Sequence, residues 1–168
     1  MSVYSIDKLI VQARRLASDY RRATGKSLGI STEIAEHDAS TLLNLELCEQ
    51  PRTAGYDAIG KGEREGKRIQ IKGRVIFDES KSGQRIGQLK IDKEWDSVVL
   101  VLMDEEYEPY EIYEAEREDI EEVWDKASAS KRTKRGAMSV ARFKIIGRLV
   151  WSRENGPEDE VWDNKASV

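Results

Sequence analysis

The sequence predicts one mixed α/β domain, and three features of the chain support this fold class. The first 43 residues carry apolar side chains at the three- and four-residue spacing of amphipathic helices. The run Val98–Leu102 has no polar residue, as expected for a central strand that is covered on both faces. Short apolar runs separated by glycine-rich turns lie between these segments, and 168 residues suffice for a single hydrophobic core.

The first predicted helix runs from Ser5, which can cap its start, to Thr24, where Gly25 can end it. One face of this helix is predicted to pack on the domain, and its members are Ile6, Leu9, Ile10, Ala13, Leu16, Ala17 and Tyr20. The arginines lie on or beside the opposite face, which we expect to be solvated: Arg14, Arg15, Arg21 and Arg22.

The second predicted helix runs from Ser31 to Leu43, with Ser31 or Thr32 as its N-cap. Glu36 lies next to the packed side of this helix, so its carboxylate needs a partner if it is buried. His37 is expected to point to solvent.

The remaining elements follow from apolar runs and turn residues. The predicted strands are Leu45–Cys48, the run ending in Ala58-Ile59, Arg68–Val75, Ser97–Met103, Tyr110–Tyr113 and Leu149–Trp151, with a short edge strand or hairpin arm at Arg85–Ile91. Helices are predicted at Ala115–Ala127 and at Ser139–Ile146, the latter with Ser139 as N-cap. The domain is therefore expected to have a core over about 30–151 and an acidic C-terminal tail over about 154–168.

Composition excludes several classes of protein. The first 20 residues carry charges throughout and do not resemble a secretory signal, and no apolar run approaches transmembrane length. The single cysteine, Cys48, cannot form an internal disulfide and fits a reducing cytoplasm, where we expect the protein to be located. One cysteine and one histidine cannot build a structural zinc site. The net charge of −4 looks wrong for a nucleic-acid binder, although its distribution is more informative than its sum.

The most informative stretch runs from Gly55 to Arg74. Asp57 ends a short Gly-Tyr-Asp segment, a turn with three glycines follows, and the next strand carries Gln70 and Lys72 two residues apart. Because strand side chains alternate, Gln70 and Lys72 share one face while Ile69 and Ile71 share the other. If the two runs pair as an antiparallel hairpin, Asp57 lies near Gln70 and Lys72.

This arrangement resembles the PD-(D/E)xK nuclease superfamily, the restriction-endonuclease-like fold, in the Q-x-K variant seen in Mrr-like restriction endonucleases. The family's pattern is an Asp, a hairpin and an acid-x-Lys strand, preceded by a helix with a Glu. Here Glu36, Ala39 and the pair Leu42-Leu43 stand at the corresponding helix spacing. The resemblance implies a mixed central sheet flanked by helices and a DNA endonuclease that depends on Mg²⁺ or Mn²⁺.

The resemblance also implies roles for individual residues. Asp57, Glu36, the Gln70 amide oxygen and the Ile71 backbone carbonyl are the expected metal ligands, and Lys72 is expected to orient water or stabilise developing charge. Two positions depart from the family pattern. Tyr56 replaces a proline that has no chemical role, whereas Gln70 replaces an acid and should weaken metal binding. The site is expected either to bind metal firmly only with DNA present or to bind DNA without cutting it.

Charge is distributed in two blocks along the second half of the chain. Residues 104–125 carry twelve acids against Arg117 alone, which usually makes a solubilising surface, whereas residues 126–153 contain no acid. A basic loop that enters a helix can hold phosphate, or it can be a solvated linker. The predicted DNA-binding residues are Arg74, Lys131, Arg132, Lys134, Arg135, Ser139 and Arg142.

Alternative functions remain open at this point. The chain could be a non-catalytic nucleic-acid-binding protein on the same fold, or a protein-interaction module that uses its acidic block and first helix. The small domain leaves no room for a separate sequence-reading unit, so specificity would come from DNA structure, a homodimer or a partner subunit. The sequence contains no Walker-type phosphate loop and no G-x-S-x-G nucleophile motif.

Overall fold

The computed structural model describes residues 5–49, 55–78, 80, 84–87, 89, 91–126 and 138–158, with the side chains of 125 and 126 excepted. These residues form four α-helices and one seven-stranded mixed sheet. The helices are α1 (Ile6–Thr24), α2 (Ser31–Leu42), α3 (Arg117–Lys126) and α4 (Val140–Ile146). The strands are β1 (Leu45–Leu47), β2 (Ala58–Gly60), β3 (Arg68–Val75), β4 (Ser97–Met103), β5 (Pro109–Glu116), β6 (Arg148–Ser152) and β7 (Gly156–Pro157).

The strands lie in the sheet in the order in which they occur along the chain. Neighbouring strands are antiparallel except for β3 and β4, which are parallel and are joined through residues 76–96. A 3₁₀ turn at Gly62–Arg64 closes the β2–β3 hairpin. The predicted mixed α/β class and the predicted antiparallel hairpin are therefore confirmed.

Helices cover both faces of the sheet. On one face, α1 and α2 pack over Ile69 and Ile71 of β3 and over alternate residues of β4. On the other face, α3, α4 and the segment around Trp95 pack over the remaining residues of β4. All seven residues of β4 are buried, because each face of this strand lies under a helical layer. The elements thus form three layers, with the parallel pair β3–β4 at the centre of the sheet.

Gly73 on β3 allows α2 to approach the sheet closely. A Cβ at this position would lie 2.4 Å from the Ala35 side chain of α2. This contact fixes α2 to the same face as Ile69 and Ile71, so that Gln70, Lys72 and Arg74 point to the opposite face.

Two details of the helices differ from the sequence prediction. In α1, Ser5 caps the helix and Gly25 ends it in the left-handed conformation as expected. Four members of the predicted packed face are nevertheless exposed: Ile6, Leu9, Leu16 and Tyr20. In α2, the N-cap is Ile30 and makes no side-chain hydrogen bond, so the predicted cap at Ser31 or Thr32 is wrong.

Arg14 and His37 also correct the sequence prediction. Arg14 is not solvated, because both Nη atoms bind the buried Asp38 of α2 and Nη1 also donates to the Tyr107 carbonyl oxygen at 2.6 Å. Desolvation by itself would lower the pKa of Arg14, but the hydrogen bonds and charge of Asp38 outweigh it and raise that pKa. His37 is largely buried, and its Nε2 lies 3.3 Å from an Asp7 carboxylate oxygen.

The end of the chain that the structure describes extends the sheet beyond the predicted last strand. Gly156–Pro157 pairs with β6, so part of the segment expected to be an acidic tail belongs to the sheet. In the segment 85–91, predicted as an edge strand or hairpin arm, positions 88 and 90 lie outside the described residues, and Arg85 forms an isolated antiparallel bridge with Ser139. No helix in the described part of the chain is both long and apolar enough to cross a membrane.

Candidate functional site

Asp57 is fixed against β3 at the point where β2 begins. Its backbone N–H donates to the Ile69 carbonyl oxygen at 2.8 Å, and its Oδ2 accepts from the Ile71 N–H at 2.8 Å. These two hydrogen bonds lie on either side of Gln70. The hairpin therefore brings the predicted acid and the Q-x-K strand together, which the sequence could predict only on the condition that the two runs paired.

The side chain of Gln70 is buried, and one end of its amide has no partner among the described residues. Only 2% of this residue is exposed, and its Nε2 has no hydrogen-bond partner among the described residues. A buried amide group without a partner is costly, and such groups are rare in native proteins. Because the two ends of a glutamine amide exchange on a half-turn, the unpartnered end can present oxygen to a cation.

The donor atoms around Asp57 fit a hard divalent cation. The N–H of Ile71 points toward Asp57, and the N–H and C=O of one strand residue point to the same side, so the Ile71 carbonyl oxygen faces this region too. A carboxylate, an amide oxygen and a backbone carbonyl are oxygen ligands of the kind that Mg²⁺ and Mn²⁺ accept. Within the described residues, no three His, Cys, Asp or Glu side chains form a metal cluster. The predicted site contains only two carboxylates, so it depends on its neutral oxygen ligands.

Glu36 is buried on α2. Its exposed fraction is 4%, and Leu43, seven residues later on the same side of the helix, packs in one cluster with Leu45 and Ala58. Because α2 covers the Ile69 and Ile71 face of β3, the helix that carries Glu36 lies on the face opposite the Gln70 side chain. The structure thus places Asp57 against β3 at Gln70 and Ile71, and places Glu36 in the adjoining helical layer.

Lys72 and Arg74 continue the Gln70 face of β3. A Cβ built on Gly87 would lie 3.7 Å from Lys72 Nζ and 3.5 Å from Arg74 Nη2, so both cationic groups approach one point beside the Gly87 backbone. Arg74 Nε also donates to the Arg85 carbonyl oxygen, and Nη1 donates to the Gly73 carbonyl oxygen at 2.8 Å. The segment 84–87 therefore forms one wall beside the predicted catalytic lysine.

This wall is joined to the start of α4. The N–H of Ile86 donates to the Met138 carbonyl oxygen, and the N–H of Val140 donates to the Gln84 carbonyl oxygen, each at 2.9 Å. Ser139 caps α4 as predicted, since its Oγ accepts from the Arg142 N–H at 3.1 Å. The structure consequently brings Ser139 and Arg142 to the same face as Lys72, with Arg142 exposed.

Four of the predicted DNA-binding residues, Lys131, Arg132, Lys134 and Arg135, lie outside the described residues. The sequence also missed Arg85 as a neighbour of Arg74 and Gly87 as a neighbour of Lys72. Neither residue stands in a motif, and only the pairing of segment 84–86 with residues 138–140 brings them to β3.

The acidic block is not only a solubilising surface, because Glu114 has a fully buried side chain. Its carboxylate accepts from Arg64 Nε at 3.0 Å, Lys67 Nζ at 3.2 Å and Ser97 Oγ at 2.8 Å. Burial by itself would raise the pKa of Glu114, but the charges of Arg64 and Lys67 outweigh it, with help from Ser97, and hold that pKa below its usual range. These groups satisfy one another's charges and hydrogen-bonding atoms, and they stabilise the turn end of the β2–β3 hairpin against β5.

A separate cleft of about 350 Å³ lies near α1, α2, β5 and β6. Its charged side chains include Arg14, Asp38 and Arg153, and these already pair with one another or with Asp104. The cleft contains none of the predicted site residues. We therefore locate the candidate site on β3 and not in this cleft.

No protein-family model matches this chain, and no curated protein matches it.

Proposed function

We propose that this protein is a divalent-cation-dependent DNA endonuclease with a restriction-endonuclease-like core. The observation that carries the proposal is the attachment of Asp57 to β3 on both sides of Gln70, with Lys72 next on the same strand face. The order of helix, antiparallel hairpin and parallel strand in a sheet covered by helices supports it. The buried amide of Gln70, which has an unpartnered end, supports it independently.

Each residue has a role that its position allows. Asp57, the Gln70 amide and the Ile71 carbonyl would hold the cation, and Glu36 would add a carboxylate directly or through water. The bound cation would polarise the phosphate and lower the pKa of a water molecule. Lys72 would place its ammonium group beside the phosphate oxygens, where negative charge grows as water attacks phosphorus and the P–O bond to the leaving oxygen breaks.

Cleavage assays test this proposal. Supercoiled plasmid, branched oligonucleotides and single strands would be incubated with Mg²⁺, Mn²⁺ or EDTA. The proteins to compare are wild type, Asp57→Asn, Lys72→Met and the surface control Asp19→Asn, whose residue lies exposed on α1. We expect cleavage only with a divalent cation, and a loss of about a hundredfold or more in the first two variants but not in the control.

The outcomes separate the candidate functions. Cleavage that persists in Asp57→Asn and Lys72→Met would reject this site. Binding of DNA in EDTA by wild type, without cleavage in either cation, would favour a non-catalytic binding protein. Absence of both binding and cleavage at low salt would favour a protein-interaction module.

A further inference from the structure

Arg74 is a half-buried cation that the protein holds in a fixed place. Its Nε and Nη1 donate to two backbone carbonyl oxygens, those of Arg85 and Gly73. These bonds fix the guanidinium group between β3 and the segment 84–87, and Nη2 lies 3.5 Å from the position that a Cβ on Gly87 would take. A side chain that served only to cover apolar surface would not need this anchoring.

No carboxylate of the described residues pairs with Arg74. The other arginines near the site differ, since Arg68 pairs with Asp96 and Glu94, and Arg64 pairs with Glu114. Burial lowers the pKa of Arg74, because its charge is desolvated without an opposite charge to compensate. The ammonium group of Lys72 approaches the same point and adds positive charge there. A buried charge without a counter-ion is costly, and an anionic ligand would remove that cost.

Gly87 keeps the point between these two cations open. Its φ lies outside the left-handed region, so the backbone there does not require glycine. An alanine Cβ would meet Arg74 Nη2 and Lys72 Nζ at ordinary contact distances and would fill the space between them. Glycine at position 87 therefore leaves space beside the two cations, and the backbone conformation does not require it.

We infer that Lys72, Arg74 and Gly87 form a seat for a backbone phosphate of DNA, next to the residues proposed to hold the cation. The inference rests on the proposed function in that the phosphate belongs to the nucleic acid bound at that site. The seat itself needs no metal, because its charge comes from two side chains of the protein. It positions the strand, and it carries no information about base sequence.

Binding in EDTA tests the seat apart from cleavage. A fluorescein-labelled 16-base-pair duplex would be titrated by anisotropy at several salt concentrations. The proteins are wild type, Arg74→Gln, Gly87→Ala and the control Arg22→Gln, which removes one charge from an exposed position. We expect affinity to fall about tenfold in both site variants and the slope of log K against log salt to shrink by about 0.9 in Arg74→Gln. The control should keep the wild-type affinity and slope.

Thermal unfolding of the same variants distinguishes a phosphate seat from a structural role. If Arg74 serves the ligand, Arg74→Gln lowers the affinity and the salt slope, whatever effect the loss of its two hydrogen bonds has on the Tm. If it serves only the fold, Tm falls while affinity and salt slope stay at their wild-type values, which would overturn the inference. Wild-type affinity in Gly87→Ala, or no binding of duplex by wild type, would also overturn it. A changed slope without any metal-dependent cleavage would leave the seat intact and reject the nuclease proposal.

Discussion

Gln70→Met should stabilise the protein while it removes the proposed metal ligand. Methionine preserves the length and approximate volume of the side chain but has no amide to leave unpartnered. An unsatisfied buried polar group costs about 1–3 kcal/mol, so we expect the free energy of unfolding to rise by roughly 1–2 kcal/mol. For a domain of this size, the corresponding rise in Tm is about 2–8 °C.

Urea unfolding in EDTA, followed by the fluorescence of the four tryptophans, measures this effect. Gln12→Met on the exposed surface of α1 is the matched control and should change stability by no more than about 0.5 kcal/mol. A Gln70→Met variant that is less stable than wild type by about 1 kcal/mol would refute the reasoning. That result would mean that the Gln70 amide is satisfied in solution and stabilises the fold.

Four further predictions follow from the buried charges and the helix contact. Glu114→Gln should cost about 3–5 kcal/mol in urea unfolding, because it removes the buried carboxylate that pairs with Arg64 and leaves Arg64 only the exposed Glu63; a cost below about 1 kcal/mol would contradict this. The pKa of Glu114 is lowered in the folded protein, so the stability that its carboxylate contributes is complete above the ordinary glutamate pKa and is lost as pH falls through the pKa of the folded protein. The free energy of unfolding should therefore fall less steeply toward acid pH in Glu114→Gln than in wild type. A double-mutant cycle on Arg14→Ala and Asp38→Ala should give a coupling of about 1–3 kcal/mol, whereas additive costs would show that the pair is not coupled. Gly73→Ala should destabilise the protein by about 1–3 kcal/mol through its clash with α2, and wild-type stability would show that α2 can shift at no cost.

Two patterns in the sequence, on β3 and β4, allowed part of this fold to be predicted. On β3, Ile69 and Ile71 alternate with polar residues, which indicates a strand, and the unbroken apolar run of β4 indicates a strand that is covered on both faces. The structure has both strands at the predicted bounds. Ser139 caps α4 because a cap depends only on residues nearby in the chain. The position of Asp57 depended on one assumption, the antiparallel hairpin, which the glycines of the turn already favoured.

The features that the sequence could not predict depend on contacts between distant parts of the chain. Arg14 and Asp38 are charged residues on different helices, and nothing in either helix indicates that they bury each other. Glu114 lies in an acidic block, yet its register on β5 brings it under Arg64 and Lys67 of the hairpin. Gly87 reaches Lys72 only through the pairing of its segment with the start of α4.

Direct measurement of Mn²⁺ binding tests the central claim, that Asp57 and Gln70 hold a divalent cation against β3. Titrations followed by electron paramagnetic resonance would compare wild type, Asp57→Asn and Gln70→Glu, each with and without an uncleavable phosphorothioate duplex. Wild type should bind Mn²⁺ more tightly with the duplex than without it. Gln70→Glu should bind more tightly than wild type, because it adds a carboxylate, and Asp57→Asn should lose the site. Equal Mn²⁺ affinity in all three proteins, or no binding by wild type even with the duplex, would contradict the claim.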